Sequence, residues 1–277
     1  MLVNILVFIA SLIPSILIVV FMTKRKKGDL LYAKTCNKAV VGGLISVLPI
    51  LAVSGTFYIL GNVMHKLVFP GIPPLLYAGI YNFVVLAFAE EIVKYGTFRI
   101  VLTKDKAPST YADIVAYMII IGTLFGLLED IPYAIGANAM TMAIRGLTMG
   151  HVGYALIMGW FHAKSLETGK KGYSALGLII TWIIHGIYDF SLSNEFMEVH
   201  EALMLVGISF AILDVVLLIL MIVFFVRVHK KGFYQQILVN IPENVDVVND
   251  ENGTSDANEI ATEEVVEEQK EEEKTEE

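Results

Sequence analysis

The chain has 277 residues, is 56% apolar and has a mean hydropathy of +0.66. Apolar runs of about 20 residues, long enough to cross a hydrocarbon core of about 30 Å, exclude an ordinary soluble globule and point to a polytopic membrane protein. A net charge of −8 gives no support to a nucleic-acid partner, and the single cysteine, Cys36, excludes an intramolecular disulfide framework.

Seven helices are predicted, at roughly 2–22, 39–63, 77–103, 112–135, 144–164, 173–193 and 202–227, an all-α bundle of transmembrane segments. The first lacks a basic n-region, and its basic cluster "TKRKK" follows the apolar run, so it reads as a retained span rather than a signal peptide. "FPGIPPL", between the second and third spans, carries three prolines and suits a surface loop or a short re-entrant turn. Residues 243–277 hold 15 Asp/Glu against 2 Lys, leaving the rest of the chain at about +5. Such an acidic segment buries too little apolar surface to fold alone. The expected organisation is a helical membrane domain over 1–232, with its motif core at 77–193, and a disordered acidic tail over 243–277.

Lys and Arg concentrate at 23–38, 99–106 and 164–171 and after the last span, and are sparse in the loops between. By the positive-inside rule this places the N-terminus outside a cell membrane and the tail in the cytoplasm.

The polar residues inside the spans are the unusual feature. The third span carries Glu90, Glu91 and Lys94 in "LAFAEEIVKYGTF"; the fourth carries Glu129 and Asp130 in "FGLLED". The fifth has His151, and the sixth has His185 and Asp189 in "HGIYDF". A charge at a helix centre costs roughly 2.5–3.5 kcal/mol on insertion scales, so these groups should face one another or a wet cavity. The load is expected to be confined to spans three to six. Glu90 and Lys94 are four apart and share a helix face, as do His185 and Asp189. At 1.5 Å per residue from the outer ends, Glu129 lies about 8 Å deep, His151 about 9 Å and His185 about 12 Å. Glu90 lies between about 12 and 20 Å, depending on where its helix starts and how it tilts. The four can therefore meet in the outer half of the bilayer.

Peptide hydrolysis needs a base to activate water, an acid for the leaving amine and donors for the oxyanion. A carboxylate in apolar surroundings can serve as base and then acid, while histidines supply donors or orient the water. Two histidines plus a glutamate are alternatively a sufficient ligand set for a catalytic zinc.

At these residues the sequence resembles the PrsW intramembrane proteases, relatives of the CAAX prenyl endopeptidases. "AEEIVKYG" resembles the Glu-Glu-x-x-Lys signature and "FGLLED" the second motif. "RGLTMGHVGYALIMGW", with Arg145 and His151, resembles the third, and "HGIYDF" the fourth. All four occur in family order over about residues 86–190. The resemblance implies a membrane-embedded endopeptidase in which Glu90 activates water beside Glu91, and Glu129, His151 and His185 complete the site. Lys94, Asp130, Asp189 and Arg145 then support it. It also implies a single-pass membrane protein as substrate, of the kind exemplified by anti-sigma factors, cut near the extracytoplasmic side. Asp130 and Asp189 stand where the family pattern has Asn, which adds carboxylates to a site with one lysine. No cofactor is expected on the glutamate-protease reading; a divalent metal such as zinc would be held by Glu91, Glu129, His151 and His185.

Two alternatives belong to other classes. Buried Glu, Asp and His also serve as proton or cation relays in transporters, although no second copy of the Glu-Glu-x-x-Lys segment marks paired halves. A scaffold would use the polar cluster for packing alone and the tail for recruitment. His162, three turns from His151, is expected near the cytoplasmic surface, away from the site.

Overall fold

The computed structural model describes residues 2–67, 71–104, 110–136, 150–191, 193, 196 and 204–231. Arg145 and the acidic tail lie outside the described residues. Contacts divide the chain between Asn240 and Ile241, and every described residue belongs to the first unit. Among the described residues the structure is helical, with no strand. The order is α1 (Leu2–Lys24), α2 (Leu30–Leu67), α3 (Pro74–Ile80), a π-helical segment (Tyr81–Ala87), α4 (Phe88–Lys104), α5 (Tyr111–Gly136), α6 (Gly150–Thr168), α7 (Gly172–Ser191) and α8 (Met204–Lys231). Five stretches within these are long and apolar enough to cross a membrane. Their outward faces are apolar, with Leu17 62%, Leu48 59% and Ile212 59% exposed. An outer surface of this kind suits lipid rather than water, and the chain is an all-α polytopic membrane protein.

The basic cluster after α1 is tied down by buried charge. Asp113, 1% exposed, receives Arg25 in a short ion pair and Lys26 Nζ at 2.8 Å. It also closes a capping box with Thr110 at the start of α5: Thr110 N donates to Asp113 Oδ2 at 2.8 Å and Asp113 N to Thr110 Oγ1 at 3.2 Å. Gly28, at φ 96°, makes the turn into α2, and Asp29 caps that helix by accepting the Tyr32 N–H at 2.8 Å. These contacts fix α1 and α2 against α5.

Helix α5 is the axis of the bundle, with Ile114 to Ile121 all at 1% exposure or less. It meets its neighbours through glycines. A Cβ at Gly122 would stand 2.7 Å from Ala155 Cβ and 2.8 Å from the His151 carbonyl, and one at Gly126 would stand 2.6 Å from the His151 ring. The missing side chains let α6 approach α5 closely enough to set His151 beside Glu129. Gly122→Ala is therefore expected to force the two helices apart and cost about 1–3 kcal/mol. Gly96→Ala, where a Cβ meets nothing within 4 Å, should leave stability unchanged or slightly raised. Thermal unfolding of the two purified variants checks this, and equal melting would refute it.

The predicted third span is a composite: α3, the π segment and α4 run on from Pro74 to Lys104. The wider π turn matters for function. Phe83 O accepts both the backbone N–H of Phe88, five residues on, and Trp182 Nε1 of α7 at 2.7 Å. The Phe83 ring also lies where a Cβ of Gly186 would be, 2.5 Å away. These contacts dock α7 on the π segment and bring His185 level with the first turn of α4, which carries Glu90 and Glu91.

Candidate active site

Four helices supply the site, and their side chains interlock. Lys94 is the hub. Its Nζ is 2.5 Å from Glu91 Oε1, 2.9 Å from His151 Nδ1 and 3.9 Å from Glu90 Oε2, and sits 4.6 Å over the Phe125 ring. The sequence pairs Lys94 with Glu90 by i,i+4 spacing; in the fold its tight partner is Glu91, at i+3. An ammonium only donates, so His151 Nδ1 accepts, and the His151 Nε2–H then points at Glu129, its short-contact partner. Each histidine therefore has an assigned carboxylate: Glu129 for His151, and Glu91 for His185, whose Nδ1 stands 2.9 Å from Glu91 Oε1.

That leaves His185 Nε2 facing inward, 3.2 Å from Asp189 Oδ2 and 3.8 Å from Glu90 Oε2. The two histidine rings meet edge to face at 5.1 Å. Glu90, Glu91, Lys94 and His185 are at most 5% exposed, while the side chains of Glu129, His151 and Asp189 keep 13–19%. The polar cluster thus has a closed floor and a wetter rim. A narrow cavity of about 40 Å³, enough for a water molecule, opens against Glu129, Asp130, His151, His185 and Asp189. Asp130 contributes to this wall rather than to the buried floor. Arg145 lies outside the described residues.

Glu90, His151 and His185 bring one donor atom each within 4.8 Å of the others. Glu90 Oε2 is buried and has no hydrogen-bond partner among the described residues. Glu90 Oε2 and His185 Nε2 suit a divalent cation of the zinc type, and His151 would join them only by giving up Lys94 at Nδ1. The carboxylates expected as ligands, Glu91 and Glu129, each face a histidine instead, and Glu90, expected as the base, is the acid grouped with His151 and His185.

The sequence model of the PrsW family of intramembrane metalloproteases matches residues 36–227, more than half of the chain. This chain belongs to the PrsW family. Among curated relatives it is similar to Protease PrsW of Clostridioides difficile (strain 630), with 28% identity over 171 residues, which cover 56% of this chain and 66% of the relative. Protease PrsW of Shouchella clausii (strain KSM-K16) shares 34% over 85 residues, covering 26% and 40% of the two chains. Protease PrsW of Oceanobacillus iheyensis shares 26% over 116 residues, covering 40% and 54%. The chain thus spans between 40% and 66% of the length of these relatives. No solved structure matches it.

The PrsW match runs through α8, and there the sequence reading needs correction. Ionisable groups are not confined to spans three to six: Asp214, on α8, is 1% exposed and faces Tyr154, close to His185. The signal was available, since "FAILDVVLLIL" places an acid inside an otherwise apolar run. Tyr154 was also missed, because a tyrosine in an apolar helix reads as packing. It stacks on His185 with centroids 5.0 Å apart and planes at 30°. His162 lies away from the site, buried between Tyr95 Oη at 3.1 Å and Ser174 Oγ, in the first turn of α7, at 2.9 Å.

Proposed function

We propose that this chain is an intramembrane endopeptidase that hydrolyses a peptide bond of a single-pass membrane protein, near the extracytoplasmic side of the cell membrane. The observation that carries this reading is the convergence of Glu90, Glu91, Glu129, His151 and His185 from four helices into one polar cluster, of which Glu129, His151 and His185 line a narrow cavity. Glu90 is the base: its Oε2 has no hydrogen-bond partner among the described residues, and it takes a proton from water and returns it to the leaving amine. His185, tethered through Nδ1 to Glu91, presents Nε2 to the reacting centre and stabilises negative charge there. Lys94 pairs with Glu91 at 2.5 Å and stands 3.9 Å from Glu90, so that the two glutamates, though adjacent, do different work. Glu129 orients His151 at the cavity wall.

Glu90, His151 and His185 are the residues that would hold a divalent ion. Such an ion, when bound, supplies Lewis-acid polarisation of the scissile carbonyl. Glu90 would then be a ligand, and Glu129 would keep its place on His151. The loop charges support an N-terminus outside and a cytoplasmic tail, with the site in the outer half of the bilayer. Anti-sigma factors are the substrate class most in keeping with the family.

The test is to map new protein N-termini in membranes of cells expressing the wild-type chain or Glu90→Gln. A single-pass protein cut only by the wild type supports the proposal; identical termini in both overturn it. Two further outcomes follow for the purified enzyme. Chelation separates the two: cleavage that persists in metal-free, chelator-treated protein assigns the base to Glu90, whereas cleavage lost on chelation and restored by stoichiometric zinc makes Glu90 a ligand. Deleting residues 243–277 should leave the cleavage rate within about twofold, because the site lies wholly outside that segment; loss of cleavage on deletion would instead make the tail part of the enzyme.

A further inference from the structure

Helix α8 buries one face against the bundle through Asp214, Leu217, Met221 and Phe225. Three of these fill space. The fourth is an acid, whose burial at a helix centre costs roughly 2.5–3.5 kcal/mol on insertion scales and adds nothing to packing that leucine would not. Among the described residues, neither its carboxylate oxygens nor the Tyr154 hydroxyl has a hydrogen-bond partner elsewhere, and the two groups are close enough to interact with each other. The two face one another across Gly150. A Cβ built there would stand 2.9 Å from Asp214 Oδ2 and 3.1 Å from Tyr154 Oη. Three residues on, a Cβ at Gly153 would stand 2.8 Å from Leu217. Asp214 and Leu217, spaced by three on α8, thus lie over Gly150 and Gly153, spaced by three on α6. That register leaves no freedom to slide the acid elsewhere.

Tyr154 is the other half of the arrangement. His185 is held in its ring plane by Glu91 at Nδ1 and Asp189 at Nε2, and the His151 ring meets it at 89°. The face of the imidazole is covered by the Tyr154 ring, 5.0 Å away. Two in-plane contacts do not stop an imidazole from tilting; a stacked ring does, if that ring is itself fixed. The hydroxyl at its far end needs an acceptor, and a carboxylate is one.

We propose that Asp214 is a positioning residue of the site, acting through the Tyr154 hydroxyl to hold the ring that keeps His185 aimed at Glu90. The proposal rests on the protease reading above and assigns α8 a part in it. Asp214 itself touches no reacting atom; removing it loosens His185 and slows the chemical step without weakening capture of the substrate.

The test uses the full chain in proteoliposomes with the single-pass protein whose cleavage depends on Glu90. Tyr154→Phe and Asp214→Leu should each lower kcat about tenfold with KM within about twofold. The double variant should be no slower than either single one, because both remove the same contact. Asp214→Asn, which still accepts from the hydroxyl, should recover most of the loss. Wild-type kcat in Tyr154→Phe and Asp214→Leu, alongside an inactive Glu90→Gln, overturns the proposal and spares the protease reading. Multiplicative losses in the double variant also overturn it. If Asp214→Leu does not accumulate, Tyr154→Phe decides: wild-type kcat overturns the proposal and a kcat-specific loss supports it. Cleavage by Glu90→Gln at the wild-type rate overturns the underlying reading itself.

Discussion

Glu90→Gln and His185→Ala are each expected to lower cleavage by about 10³-fold or more, with the protein accumulating normally in the membrane. The two act on one reacting centre: Glu90 Oε2 and His185 Nε2 are 3.8 Å apart, and each has an unmet or shared polar atom turned toward the other. Combining them should therefore cost little more than the worse single change, as with groups that work as a unit. Asp189→Asn should be far milder. It keeps an oxygen near His185 Nε2 and alters only charge. The measurement is the rate of product formation in proteoliposomes, normalised to folded enzyme. Retention of more than a tenth of wild-type activity by both Glu90→Gln and His185→Ala would remove these residues from the chemistry.

The largest effect on stability is expected at Lys94. Its ammonium, on a side chain 2% exposed, is the buried cation closest to Glu91 at 2.5 Å and also serves Glu90 at 3.9 Å. Lys94→Met leaves both carboxylates enclosed without that charge, and breaking a buried ion pair from one side costs about 3–5 kcal/mol. Much of the protein should then fail to accumulate or should melt early. Glu91→Gln combined with Lys94→Met removes both partners and should recover a large part of the lost stability. It should not recover cleavage, because His185 Nδ1 then loses its carboxylate. Thermal unfolding in detergent checks the first statement and the cleavage assay the second. A Lys94→Met protein that melts with the wild type would show that the pair is exposed to water in the working enzyme.

Adjacent glutamates illustrate why a motif names a site without dividing its labour. Glu90 and Glu91 are indistinguishable in "AEEIVK", and helical spacing by itself pairs Lys94 with the former. Side-chain direction reverses that: Lys94 reaches Glu91 at i+3, and the same oxygen takes His185 from another helix. Spacing fixes which residues share a face, and only the neighbouring helix fixes which of them is satisfied. His151 and Glu129 were named from their motifs, but their contact depends on Gly122 and Gly126 permitting close approach, which no local pattern states. Asp214 and Tyr154 are the opposite case. The acid was visible in its apolar run, yet it falls outside the four motifs, and its meaning emerges only where α8 crosses α6.

The sequence alone determined the membrane class, the helical architecture and which residues are proposed to do chemistry. Apolar length and the cost of buried charge are local properties, legible one segment at a time. The tertiary structure decided which carboxylate is tethered to Lys94 and His185, how each imidazole is turned, and that Asp214 of α8 faces Tyr154. Those depend on distances of 3–4 Å between side chains from different helices, set by glycine contacts and by the π turn before Phe88. Helix periodicity constrains a single segment and carries no term for its neighbour.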